Sequence, residues 1–215
     1  LLSVGQSNIP VRETPNSLSS SVLSFHILRK YLKFVSVDWN VPFPFEVQDV
    51  EQVVSLYRLG TIEAAITFPF IDINSNVRAI QFDEQNNTPV PEWLTPYNKV
   101  SCLFGEHLLS KYPHNPVALV EAPKTAIYGT LYFGSPEEPT NLLWLAVYDL
   151  SSLNYEKSKA LQGRDVFLFP DLSKEGRAFD LWSRKANEIQ KELKGTYFQV
   201  SDLLEQLAPE RDKSE

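Results

Sequence analysis

The sequence is poor in sulfur, with one cysteine, Cys102, and no methionine. A single cysteine cannot form a disulfide within the chain, and it excludes a zinc site built from several thiolates. No run of apolar residues approaches the roughly 18 that a membrane-spanning helix needs. These absences exclude a disulfide-stabilised secreted domain, a zinc ribbon inside this chain and a membrane protein.

An export signal is also missing from the first residues. The segment Leu1-Leu2-Ser3-Val4-Gly5 has no basic region followed by an apolar stretch. We therefore expect a cytoplasmic protein. The missing initiator methionine, together with the lack of methionine elsewhere, leads us to expect either a fragment or a sequence from which some residues are absent.

Positive charge is in deficit, because 20 lysines and arginines stand against 27 aspartates and glutamates and give a net charge of -7. Nonspecific affinity for a nucleic-acid duplex depends on many Lys and Arg contacts with phosphates. The net charge therefore argues against a general polyanion-binding surface. A nucleic acid would have to be contacted locally, or with the help of another domain.

The amino-terminal part predicts a small mixed subdomain. Residues 1–20 are rich in Ser, Asn, Pro and Thr without apolar periodicity, which is typical of a poorly ordered lead-in. Apolar residues at helical spacing predict one helix from Ser21 and a second over Phe45–Leu59, with Gly60 ending it. The inward residues predicted for this second helix are Val47, Val50, Val53, Val54 and Tyr57.

A β-hairpin is predicted next. β-formers at 64–73 and 77–82 flank the polar turn Asn74-Ser75-Asn76, and Pro69 indicates an edge position or a bulge. Residues 83–100, rich in Asn, Pro and Thr, predict a long loop, and Cys102–Leu109 predicts a short helix.

From Pro116 onward, short apolar strands alternate with helices. Strands are predicted at 117–120, 142–147, 165–169 and 196–200, and helices at 124–133, 155–161, 176–193 and 203–207. Unbroken apolar strands separated by helices are typical of a parallel sheet covered on both faces. The predicted fold class is therefore α/β: a four-stranded parallel sheet flanked by helices, preceded by a small α+β subdomain with a β-hairpin. The predicted divisions are a lead-in at 1–20, the subdomain at 21–112 and the sheet domain at 113–215.

Two acidic residues mark the candidate site. In an open parallel sheet, sites lie at the carboxyl ends of the strands where the winding reverses. If the strands take the common order 2-1-3-4, the first and third are neighbours, and the residues after them are Glu121 and, beyond Pro170, Asp171. Alone, each is equally well read as a solvated residue or a helix cap. As a pair, the two carboxylates would repel each other, and a divalent cation bound between them explains why both stand there. Their oxygen ligands favour Mg²⁺ or Mn²⁺.

Two segments resemble the motifs of TOPRIM domains. Residues 117–126, Val-Ala-Leu-Val-Glu-Ala-Pro-Lys-Thr-Ala, are similar to the first motif, an apolar strand that ends in Glu before a short turn and a helix. Residues 166–178, Val-Phe-Leu-Phe-Pro-Asp-Leu-Ser-Lys-Glu-Gly-Arg-Ala, are similar to the second, in which a strand leads into Asp-x-Asp and a Gly-containing helix start.

The resemblance extends upstream of these motifs. Residues 68–72 with 77–82, and then 103–109, are similar to the subdomain that precedes TOPRIM in bacterial DnaG-type primases. In all it covers about residues 57–207, and it is greatest to primase-like proteins of Bacteroidetes plasmids and conjugative transposons.

The resemblance implies primase-like nucleotidyl transfer in the replication of such a mobile element. Mg²⁺ or Mn²⁺ would be held by Glu121, Asp171 and the position of Ser173, with Glu121 as metal ligand or general base. From their positions at helix starts beside Glu121 and Asp171, the basic residues Lys124, Lys174 and Arg177 are interpreted either as phosphate-binding residues or as ordinary exposed ones. The implied partners are single-stranded DNA or RNA, nucleoside triphosphates, and a helicase or zinc-ribbon domain outside this chain, with no membrane.

Ser173 departs from the pattern, because it stands where the second Asp of Asp-x-Asp is expected. Serine is a neutral and weaker ligand, and two-metal phosphoryl transfer draws on several carboxylates. A single-metal site, or a phosphate site without turnover, stays open. The alternative function is a noncatalytic nucleic-acid-binding or replisome-interaction module, which Ser173 and the acidic net charge favour.

Other hypotheses carry less weight. Asp171 at a strand tip also suits an unrelated phosphotransfer domain in which it is phosphorylated, although Glu121 fits that idea less well. A nicotinamide-binding domain is disfavoured because no Gly-x-Gly-x-x-Gly follows the first strand. Asp149 either reaches the same site or is an ordinary turn residue, and Asp180 either extends the acidic cluster or lies on a solvated helix face. Asp202 is interpreted as a helix cap. The three histidines lack ligand spacing and are interpreted as structural or surface residues: His26, His107 and His114.

Overall fold

The computed structural model describes residues 45–62, 65–82 and 100–209. The lead-in at 1–20, the helix predicted from Ser21 and nearly all of the loop predicted at 83–100 lie outside these ranges. The longest helix within them has 16 residues, and none of the described helices is both long and apolar enough to cross a membrane. In chain order the elements are α1 (Val47–Tyr57), β1 (Gly60–Ile62), β2 (Ala65–Ile71), β3 (Val77–Phe82), α2 (Leu108–Lys111), β4 (Val117–Val120), α3 (Pro123–Phe133), β5 (Leu143–Ala146), α4 (Tyr155–Ser158), β6 (Asp165–Phe169), α5 (Arg177–Glu192), β7 (Tyr197–Val200) and α6 (Leu203–Leu207).

The larger sheet confirms the predicted α/β architecture. Its four strands are parallel and lie in the order β5-β4-β6-β7, which is the order 2-1-3-4 within this part of the chain. Every residue of β4 and β5 is buried, as their unbroken apolar sequences require. The connections through α3 and α5 run in opposite directions across the sheet, so right-handed crossovers place these helices on opposite faces.

The smaller sheet confirms the predicted hairpin. Its strands are antiparallel in the order β1-β2-β3, and the Asp72 carboxylate accepts the backbone N–H groups of Asn74 and Asn76 in the turn. Pro69 lies on the middle strand, but the pairing with β1 stops at Thr67. Among the described strands, β3 alone pairs with β2 at Pro69, and a register shift follows at Phe70/Ile71. Proline has no backbone N–H to donate to a neighbouring strand, so Pro69 fits this position.

One hydrophobic core joins the two sheets. The ring of Tyr57 stacks on Phe104 with the centroids 4.9 Å apart, and Phe70 packs edge-to-face on the same Phe104 ring at 5.8 Å. Phe104 also forms an antiparallel bridge with Ala146 on the outer side of β5. The small sheet is thereby packed against the open edge of the parallel sheet.

The second predicted helix is shorter than expected. It begins at Val47 and ends at Tyr57. Arg58 ends it in the left-handed conformation at φ 53°, with its N–H directed to the carbonyls of Ser55 and Val54. Gly60, the predicted terminator, instead begins β1. The prediction that Val47 faces inward was wrong, since this residue is 46% exposed in the first turn.

Two other local predictions were wrong. Of the helix predicted over Cys102–Leu109, only the end is helical, because Phe104 donates its N–H to Ala146 O at 2.8 Å and is held in extended pairing with β5. Asp202 stands at the start of α6, but its side chain makes no cap hydrogen bond. It accepts a bond from Gln206 Nε2 at 2.7 Å instead.

Candidate functional site

The two predicted carboxylates converge at one edge of the parallel sheet. Glu121 follows β4, and Asp171 follows β6 after Pro170. The strands are in register, with Val120 opposite Phe169, so both end at the same level. The backbone N–H of Asp171 donates to Glu121 Oε1 at 3.0 Å. The structure thus brings together residues that are 50 positions apart in the sequence.

The Glu121 carboxyl lies in surroundings that disfavour its charge. The residue is 9% exposed. Burial raises its pKa above the ordinary value, the hydrogen bond from Asp171 N–H works against that rise, and the negative charges of Asp171 and Asp149 add to it. A positive charge bound beside Glu121 would relieve both the desolvation and the repulsion.

Asp171 occupies the outer part of the same edge. The residue as a whole is exposed, yet the atoms packed around its carboxyl raise its pKa, and the ammonium of Lys124 opposes that effect. Lys124 belongs to the first turn of α3, which begins at Pro123. The predicted phosphate-binding lysine therefore lies close enough to Asp171 to act on its charge.

The remaining predicted site residues make other contacts. Ser173 Oγ accepts the backbone N–H of Ala178 at 2.7 Å, so its hydroxyl caps the start of α5. Arg177 pairs with Glu175 at 3.2 Å in an exposed ion pair. Lys174 is exposed in the turn before α5. The structure gives none of these three side chains a contact with Glu121 or Asp171.

A buried lysine that the sequence did not single out, Lys157, contacts the backbone at the end of β5. Lys157 is 5% exposed, and its Nζ donates to Val147 O at 2.8 Å. Burial lowers the pKa of Lys157, whereas the charge of Asp149 raises it. Burial alone would raise the pKa of Asp149, but hydrogen bonds from Ser151 and Ser152 lower it overall. Lys157 belongs to a helix of four residues, which is too short for periodicity to show which side chains are buried.

The donor set fits one divalent cation. In the described part of the chain, no group of three His, Cys, Asp or Glu side chains is placed to hold a metal ion. Magnesium is commonly held by one or two carboxylates, with waters and substrate phosphates completing its shell. Glu121 and Asp171, with the negative charges of Asp171 and Asp149 acting on Glu121, fit that arrangement. They do not fit a two-metal centre, since Ser173 is neutral and caps α5.

The cysteine and the described histidines show no feature of reactive residues. Burial raises the pKa of the Cys102 thiol to about 12, so it stays protonated. Burial also lowers the pKa of His107 to about 4, and its Nε2 lies 3.2 Å from Leu56 O, which makes this histidine structural. His114 is exposed, and His26 lies outside the described residues.

Comparison with known proteins gives one family. The profile of a domain of unknown function, DUF6371, matches residues 30–172, a span that includes Glu121 and ends one residue after Asp171. No curated protein and no solved structure matches the chain. Because the match covers well over half of the sequence, the chain belongs to the DUF6371 family.

Proposed function

We propose that this chain is a TOPRIM-type, primase-like nucleotidyltransferase core that takes part in replication of a plasmid or conjugative transposon. One observation carries the proposal: Asp171 N–H donates to Glu121 Oε1 at 3.0 Å, which places two acids of the resembled motifs at adjacent strand ends. The proposed substrates are nucleoside triphosphates on a single-stranded DNA or RNA template. A helicase or zinc-ribbon domain outside this chain is a proposed partner.

Each side chain has a proposed role. Glu121 and Asp171 hold Mg²⁺ or Mn²⁺, which when bound would neutralise charge on the substrate phosphates. Lys124, at the first turn of α3, binds phosphate oxygens with help from the positive end of that helix. Lys174 and Arg177 border the start of α5 and bind phosphates farther along the template.

The proposed reaction joins a nucleotide to a hydroxyl. The hydroxyl oxygen attacks the α-phosphorus of the triphosphate, the new P–O bond forms, and the bond to pyrophosphate breaks. Where Glu121 serves as the general base and Asp171 alone holds the metal, the hydroxyl proton passes to the Glu121 carboxylate, whose pKa is raised by burial. Pyrophosphate leaves with the electron pair of the broken bond.

A noncatalytic nucleic-acid-binding or replisome module is the second candidate, and Ser173 favours it. A two-metal site would need a further carboxylate there, but this side chain is neutral and its Oγ caps α5 at 2.7 Å from Ala178 N. The acidic net charge of -7 also suits a module that meets nucleic acid through a partner.

Metal titration separates these two candidates. Calorimetry should detect Mg²⁺ binding to the wild-type chain at millimolar concentration or tighter, and Glu121→Ala should abolish it because a buried ligand is lost. Glu188→Ala, at an exposed position on α5, is the matched control and should bind Mg²⁺ like the wild type. Indifference of the wild type to Mg²⁺ supports the noncatalytic module.

Primer synthesis tests the transfer reaction itself. The full-length protein is incubated with single-stranded template and nucleoside triphosphates, and labelled products are resolved on a gel. We expect product from the wild type and none above background from Asp171→Ala, since Asp171 supplies one of the two carboxylates. Equal product from both proteins would remove the catalytic assignment.

A further inference from the structure

Tyr148 lies at the carboxyl-end edge of the parallel sheet in a backbone conformation that is uncommon for a residue with a side chain. Its φ is 111°, a region that glycine occupies freely and other residues occupy at an energetic cost. Such strain persists only where surrounding contacts fix the backbone, and it is concentrated at binding and active sites. Tyr148 therefore calls for a reason why glycine does not stand there.

Hydrogen bonds hold the backbone on both sides of Tyr148. Before it, the buried Lys157 Nζ donates to Val147 O at 2.8 Å. After it, the Asp149 carboxylate accepts the N–H of Ser151 at 2.8 Å. The N–H of Tyr148 itself donates to Glu121 O at 2.9 Å. The strained conformation is thus fixed directly beside the candidate metal ligand.

The ring of Tyr148 packs against the protein on one side and is exposed to solvent on the other. It packs edge-to-face on Phe70, with the centroids 5.9 Å apart and an interplanar angle of 64°. Phe70 is fully buried, whereas Tyr148 is 38% exposed. The strained backbone therefore presents a firmly seated aromatic ring to solvent at the rim of the site, which glycine could not do.

The order of residues across the sheet edge matches a particular kind of ligand. Tyr148, Glu121 and Asp171 follow the three neighbouring strands β5, β4 and β6. With neighbouring strands about 4.8 Å apart, the backbones at Tyr148 and Asp171 are separated by on the order of 10 Å along the edge. Lys124 acts at the Asp171 end. A nucleotide has the same order of groups, with a planar base at one end of a sugar and phosphates at the other.

We infer that Tyr148 positions the substrate by stacking on its nucleobase, so that the site takes a nucleoside triphosphate with its base on Tyr148 and its phosphates at Glu121, Asp171 and Lys124. This inference rests on the proposed function and adds a positioning residue to it. Stacking on an aromatic ring accepts any base, which suits an enzyme that copies a template.

Calorimetry with two probes tests the assignment. ATP and inorganic tripolyphosphate are each titrated, with MgCl₂ present, into the wild type and into Tyr148→Ala, Tyr148→Gly and Tyr148→Phe. We expect the Ala and Gly variants to bind ATP about tenfold more weakly, and Phe within about twofold of the wild type, because the ring is kept. Tripolyphosphate has no base, so its affinity should be the same in all four proteins.

Tyr148→Gly is the control for folding, because glycine adopts a φ of 111° without strain. Its melting temperature should stay within about 5 °C of the wild type. Equal ATP affinity in all variants, or a parallel loss of ATP and tripolyphosphate binding, overturns the role of Tyr148 and leaves the proposed function standing. Failure of the wild type to bind either probe overturns the proposed function and this inference with it.

Discussion

At the scale of single residues, the candidate site holds a buried acid that does not stabilise the fold. Glu121 is buried beside two other acids, and its pKa is raised first by burial and then by their charges. A folded protein gains nothing in stability from holding an ionised carboxylate in such a place. The proposed metal ion would offset this cost when bound.

Replacing this acid by its amide should stabilise the fold at neutral pH. Because the folded pKa of Glu121 is raised, the folded state binds more protons than the unfolded state just above the unfolded value of about 4.3. The contribution of Glu121 to stability is therefore present in full below that value and is lost as pH rises through the raised folded pKa. Glu121→Gln cannot ionise and keeps an oxygen to accept the Asp171 N–H, so we expect a gain of about 0.5–2 kcal/mol at pH 7.

Urea unfolding at pH 7 and pH 4 measures this difference. The gain should shrink at pH 4, where the wild-type carboxyl is protonated, and the exposed Glu188→Gln on α5 should change stability little at either pH. If Glu121→Gln is destabilised equally at both values, desolvation of the carboxylate is not the governing effect.

At the scale of elements, the packing of α3 on β5 depends on one glycine. A Cβ placed on Gly129 would lie 2.2 Å from a ring atom of Trp144, so the helix rests directly on the indole. The Trp144 ring is in turn stacked between Phe133 and Phe169, at 5.4 Å and 5.5 Å. The ring has little room to move away, and the distance between helix and sheet is set by the absence of a side chain.

Gly129→Ala should therefore be strongly destabilising in spite of the better helix propensity of alanine. We expect a loss of about 3 kcal/mol or more from overpacking, which exceeds the propensity gain of about 1 kcal/mol. Thermal and urea unfolding would measure it. Gly60→Ala is the control, because its Cβ would meet the Thr67 hydroxyl at 3.0 Å and not a packed ring. Similar stability for both variants would show that α3 can shift away from the sheet.

The elements that the sequence predicted correctly are those whose signal is local. The apolar runs of β4 and β5 and the long periodic pattern of α5 appear where expected, and the convergence of Glu121 with Asp171 follows from strand order alone. The error over Cys102–Leu109 concerns a nonlocal contact. Phe104 is extended because it pairs with β5, more than 40 residues away, and no pattern around Cys102–Leu109 reveals that partner. The strain at Tyr148 and the burial of Lys157 are likewise set by tertiary contacts.

At the scale of the whole molecule, the outer side of β5 is where the two sheets meet. β5 is the first strand in its sheet, so its outer backbone groups need partners from elsewhere. Phe104 pairs with Ala146, and Tyr57 Oη donates to Trp144 O at 2.8 Å. Both partners come from the part of the chain that precedes the parallel sheet. We therefore expect the two sheets to unfold as one cooperative unit.

Tyr57→Phe tests this expectation. Tyr57 is fully buried, and its hydroxyl lies 2.7 Å from Thr130 Oγ1 as well as bonding to Trp144 O. The variant keeps the ring stack on Phe104 but leaves the Trp144 carbonyl without this donor, which should lower the free energy of unfolding by about 1–3 kcal/mol. Tyr197→Phe, at a position 67% exposed, should change it little. Because one core joins the sheets, circular dichroism and tryptophan fluorescence should report the same urea midpoint in both variants. Midpoints that separate in Tyr57→Phe would mean that the sheets are independent folding units, linked at β5 by contacts too weak to couple them.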